Sequence, residues 1–105
     1  MDNEIFNSVR PYIQKVAENF NSLAKVYLFG SYAKNKQVVD SDIDIAFIMN
    51  NLEDSDKFEM QVQLLILASE FDTRIEPHPI SNKDFISQNP FAREIEKTGI
   101  EIVIA

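Results

Sequence analysis

Two aspartates separated by one isoleucine, Asp42-Ile43-Asp44, open a stretch of alternating side chains. Ile43, Ile45, Phe47 and Met49 fall on one side of it, and Asp42, Asp44 and Ala46 on the other. Successive side chains of a strand point to opposite faces, so the two carboxylates share a face with their backbones roughly 7 Å apart. That separation lets them converge on divalent cations held about 4 Å from each other. Like charges on one face repel, and a bound cation is the simplest remedy. Upstream, Val26 to Phe29 is a short apolar run suited to a buried strand. Gly30 stops it, and glycine permits a tight turn or a close approach of backbone to a ligand. Ser31 follows at what reads as the first turn of a short helix, where free backbone N–H groups can hold an anion.

These residues need elements to position them, and the chain is long enough for one set. With 105 residues it reads as a single domain, 1–105, with one core. Residues 4–22 show apolar positions at spacings of three and four, which predicts an amphipathic helix, with Pro11 placed to split it. Lys25 begins a first strand, and the Asp42–Met49 stretch is the second. A helix is expected over 54–71, with Phe58, Val62, Leu65 and Ser69 on one stripe. Leu64 to Ala68 is unbroken apolar sequence, so this helix reads as central to the core, with a face available to a protein partner.

The segment 72–80 reads as a third strand broken by Pro77 and Pro79, which confine it to a sheet edge or confine themselves to its terminal residues. Glu76 is on it, facing the same way as Arg74. His78, the only histidine, sits between the two prolines and reads as structural or peripheral. Ser81 is a natural N-cap for a short helix, and Pro90 a natural first residue for another. Gly99 ends that second helix at the C′ position, and Ile100 to Ile104 closes the chain as a strand.

Seventeen acidic against ten basic residues leave a net charge of -7. Such a surface repels a phosphate backbone, so direct nucleic-acid binding is not expected. Local binding of a nucleotide stays open to it, because metal ions and a few lysines cancel the phosphate charge. The absence of cysteine excludes disulfides and thiol chemistry. Met-Asp-Asn-Glu at the N-terminus is no secretory signal, and no apolar run approaches membrane-spanning length, so a soluble cytoplasmic protein is expected.

Gly30-Ser31, then the ten residues Tyr32 to Ser41, then Asp42-Ile43-Asp44 resembles the signature of the nucleotidyltransferase superfamily to which DNA polymerase β belongs. The short chain extends the resemblance to the minimal nucleotidyltransferases, many of which are antitoxin partners of HEPN-domain proteins. The resemblance implies an α+β fold, a small mixed β-sheet with helices packed mainly on one face. It implies a third carboxylate on the strand after the central helix, and Glu76 takes that place where relatives more often have aspartate. Asp42, Asp44 and Glu76 would be the catalytic and metal residues, with Mg2+ as the ion. Gly30, Ser31 and Lys34, with Lys36 nearby, would hold the phosphates of ATP. Relatives commonly carry Ala-Arg-Gly after the Gly-Ser-x, whereas this chain has Ala33-Lys34-Asn35.

The activity so implied is transfer of a nucleoside monophosphate, AMP from ATP, to a tyrosine hydroxyl of a HEPN toxin. The states it allows include an oligomer or a hetero-complex. A second reading is a binding module of the same fold that neutralises a partner by complex formation without turnover. A third, transfer to a small molecule such as an aminoglycoside, lacks a visible substrate domain.

Overall fold

The computed structural model describes residues 3–34, 41–87 and 89–104. Among them the elements follow in the order α1 (Asn3–Asn19), β1 (Leu23–Phe29), β2 (Ile43–Met49), α2 (Lys57–Ala68), β3 (Ile75–Ser81), α3 (Asn82–Ile86), α4 (Pro90–Thr98) and β4 (Ile100–Ile102), with a 3-10 turn at Asp54–Asp56 leading into α2. The strands form one mixed sheet in the order β3-β2-β1-β4. β1 is antiparallel to β2 and β4, whereas β2 and β3 are parallel. Parallel neighbours need a crossover, and α2 supplies it.

The period-2 pattern of β2 sorts the two faces. Ile43, Ile45, Phe47 and Met49 are fully buried against Val9, Tyr12 and Val16 of α1 and Leu64 and Ala68 of α2. The opposite face carries Ala46 and Ile48 beneath Phe85 of α3 and Ala92 and Ile95 of α4. The two longer helices thus share one face, and the two short ones cover part of the other. Tyr12 joins the long helices directly: its hydroxyl donates to the Leu64 carbonyl at 2.8 Å, and burial pushes its pKa up. No helix among the described residues is long and apolar enough to cross a membrane.

Four local expectations are corrected. Pro11 does not split α1 but sits inside it. Its ring removes a donor to the Asn7 carbonyl, yet both residues are exposed and water can serve that carbonyl. In α2 the stripe of Phe58, Val62 and Leu65 faces solvent, while Leu64 and Ala68 face the sheet. β3 starts at Ile75 rather than at 72 because Asp72 makes a turn first, its Oδ1 accepting the Arg74 N–H at 2.9 Å. Gly99 is extended, with φ -78 and ψ 166, and leads straight into β4. A side chain there is excluded by space instead, since a Cβ would lie 2.5 Å from the Ile95 carbonyl oxygen.

Candidate active site

Strand pairing places the acidic residues before any side chain is considered. β2 and β3 run in parallel with Asp44 beside Glu76 and Ala46 beside His78. Residues two apart share a face, so Asp44, Ala46, Glu76 and His78 all lie on the α3/α4 side of the sheet. On the other flank Asp44 pairs with Phe29, the last residue of β1. The next residue, Gly30, has φ +74, and a Cβ on it would collide with Asp44 Oδ2. The left-handed backbone favours glycine here, and any added Cβ would also force the Asp44 carboxylate to move.

The three donors Asp44, Glu76 and His78 come together, each offering one ligand atom within 4.8 Å of the others. His78 Nε2 lies 3.0 Å from Asp44 Oδ1. Asp44 and His78 are half-buried and Glu76 is exposed, so the cluster is open to solvent on one side. Phe29 meets the imidazole edge-on at 5.0 Å and in turn meets Phe91 of α4 at 5.7 Å. Asp42, expected to share the centre with Asp44, is exposed one residue before β2 and stands outside this cluster. His78 is the residue that sequence reasoning set aside. Its signal was the Glu76-Pro77-His78 spacing, which repeats the one-residue gap of Asp42-Ile43-Asp44 on the neighbouring strand.

Ser31 is half-buried in the turn that follows Gly30, where the Lys34 N–H donates back to the Gly30 carbonyl at 3.2 Å. The turn is anchored from below. Tyr32 is buried, and its hydroxyl accepts from Arg74, whose guanidinium also grips both carboxylate oxygens of Asp72. Those Arg74 bonds hold the Asp72 pKa down at about 2. The start of β3 is thus tied to the turn after β1. Lys34 reaches Glu94 of α4 at 3.2 Å across an exposed gap, a pairing that solvent keeps weak. Lys36 lies outside the described residues, as does the rest of the loop to residue 40.

A donor set of two carboxylates and one imidazole, with ligand atoms this close, fits a divalent cation. The family model "Polymerase beta, Nucleotidyltransferase" matches residues 12–105, which includes the whole of this site. The chain belongs to this nucleotidyltransferase family. Solved structures share the nucleotidyltransferase fold at low identity. One is a provisionally assigned nucleotidyltransferase from Sulfolobus solfataricus, 20% identical with a TM-score of 0.67, over 90% of this chain and 76% of the other. A second is a toxin–antitoxin structure with AMP-PNP, 21% identical with a TM-score of 0.61, over 94% and 73%. A third is a complex of tri-AMPylated Shewanella oneidensis HEPN toxin with MNT antitoxin, 20% identical with a TM-score of 0.52, over 98% and 69%. Comparison with curated proteins gives no significant match.

Proposed function

We propose that this nucleotidyltransferase transfers AMP from ATP to a hydroxyl of a protein, a tyrosine of a HEPN-domain toxin, and so acts as an antitoxin. The observation that carries the reading is the registered pair Asp44 and Glu76 beside the left-handed Gly30 turn. In the reaction the acceptor oxygen bonds to the α-phosphorus, the bond to pyrophosphate breaks, and the hydroxyl proton is lost. When bound, a divalent cation, Mg2+ by family resemblance, would supply charge neutralisation on the phosphates and would lower the pKa of the acceptor hydroxyl. Asp44 and Glu76 would hold it, with Asp42 on the approach to β2 as a further carboxylate. Gly30 allows the nucleotide close to the backbone, and the Ser31 hydroxyl and turn N–H groups would bind the leaving phosphates. Lys34 would exchange Glu94 for phosphate, a change that its exposed ion pair makes inexpensive.

The protein acceptor is supported by the complexes among the fold neighbours and by the apolar face of α2, where Phe58 and Ile66 are 78% and 65% exposed. That same face favours the second reading, neutralisation by binding alone. Intact mass of a co-expressed HEPN protein separates the two. The transfer reading expects added AMP mass with the wild type and none with Asp42→Asn/Asp44→Asn. An unmodified partner that stays bound and silenced would establish the binding module instead.

A further inference from the structure

We infer that His78 is a metal ligand of this site, and that its imidazole gives the centre a preference for Mn2+ over Mg2+. The inference rests on reading the Asp44 cluster as the place where the nucleotidyltransferase holds its cation. The distances carry it. Two ligands about 2.1 Å from an octahedral ion lie about 3.0 Å apart when adjacent and about 4.2 Å apart when opposite. His78 Nε2 and Asp44 Oδ1 are 3.0 Å apart, and all three donors fall within 4.8 Å. A small change in the exposed Glu76 side chain therefore closes the set around one ion without moving either strand.

The surroundings hold the ring in that position. His78 is opposite Ala46 in the ladder, and a methyl group there leaves the imidazole room to lean diagonally towards Asp44. Phe29 supports the ring at 5.0 Å. Pro77 and Pro79 lack N–H donors and fix the backbone on either side in an edge strand. Chemistry then sets the selectivity. Mg2+ takes oxygen ligands and gains least from an imidazole, whereas Mn2+ accepts the same carboxylate and water ligands and, as a first-row transition ion, takes a nitrogen donor as well.

The chain has one histidine, so any imidazole signal from untagged protein reports on His78 alone. The experiment is electron spin-echo spectroscopy of bound Mn2+, with Mn2+ and Mg2+ affinities measured calorimetrically, for wild type, His78→Gln and Asp44→Asn. Glutamine keeps an N–H donor for Asp44 but is a poor partner for a transition ion, so it separates ligation from mere orientation of the carboxylate. The expected result is nitrogen coupling in the wild type and an Mn2+ preference of about ten-fold or more. Both are lost in His78→Gln, and the coupling is lost in Asp44→Asn. Mn2+ bound without nitrogen coupling, or a His78→Gln protein that keeps its preference, overturns the ligand role and leaves the transfer reading intact. Failure of both ions to bind with or without ATP overturns both.

Discussion

Gly30→Ala tests whether the turn and the carboxylate are one structural unit. The backbone at this position has φ +74, and an L-residue there costs about 1–2 kcal/mol relative to glycine. The added methyl also meets Asp44 Oδ2, so the carboxylate must swing away. That movement breaks its 3.0 Å contact with His78, at about 1 kcal/mol for a lost hydrogen bond. The total of about 2–3 kcal/mol corresponds to a melting temperature lower by about 10–20 °C for a domain of this size. A double-mutant cycle isolates the collision, because Asp44→Ala removes the oxygen that the methyl strikes. In that background Gly30→Ala should cost only the backbone component, about 1–2 kcal/mol. Urea denaturation of the four proteins measures the difference, and calorimetry should show that Gly30→Ala has also lost cation binding. An equal cost in both backgrounds would refute the coupling of turn and carboxylate.

Two further perturbations address the rest of the fold. Asp72 titrates at about 2 instead of 3.8, so its contribution is complete above pH 4 and is lost as pH falls from about 4 to 2. The stability gap between wild type and Asp72→Asn, about 2 kcal/mol at most at neutral pH, should therefore shrink over that window in urea titrations; a constant gap would remove the charge of Asp72 as its cause. On α2, Leu65→Ser should change stability by no more than about 0.5 kcal/mol and weaken capture of the protein partner, whereas Leu64→Ala, one residue away and fully buried, should cost about 2–5 kcal/mol. Thermal melts and co-purification check the pair, and comparable destabilisation by both would mean that the outer face is covered within the monomer.

The contrast between Leu64 and Leu65 also shows where sequence reasoning reached its limit. An amphipathic helix announces which stripe is buried, but α2 is apolar on nearly every side from Leu64 to Ala68. Periodicity then cannot choose between stripes, and the one chosen, through Phe58, Val62 and Leu65, faces water. β2 was legible because large apolar residues alternate on one face, with Asp42, Asp44 and Ala46 between them on the other. The prolines of β3 left an edge strand or strand-terminal prolines open, and the structure has both prolines inside an edge strand, where a missing N–H costs no ladder bond on the open side. The parallel pairing of β3 with β2 depends on contacts distant in sequence, and no local pattern records them. Gly99 ends α4 where the sequence placed it, but at an ordinary φ, and it is crowding by the Ile95 and Leu28 carbonyls, invisible in the sequence, that excludes a side chain.

The same pairing explains why the cluster of candidate donors is centred one step further along the sheet than Asp42-Ile43-Asp44 alone indicates. A motif read on one strand fixes spacing along that strand and is silent about its neighbour. Once Asp44 is set beside Glu76, the residues of the α3/α4 face form a grid. Lateral neighbours sit about 5 Å apart and diagonal ones about 7–8 Å, within reach of long side chains. Asp44 then neighbours two β3 residues, Glu76 beside it in the ladder and His78 diagonally at 3.0 Å, whereas Asp42 precedes the ladder. Asp44 is consequently the residue on which the turn, the edge strand and the imidazole all converge. Its loss should be felt by each of them, and the loss of Asp42 chiefly by a bound nucleotide. Asp42→Asn should accordingly keep the nitrogen-coupled Mn2+ signal that Asp44→Asn loses, an asymmetry that two equivalent aspartates could not produce.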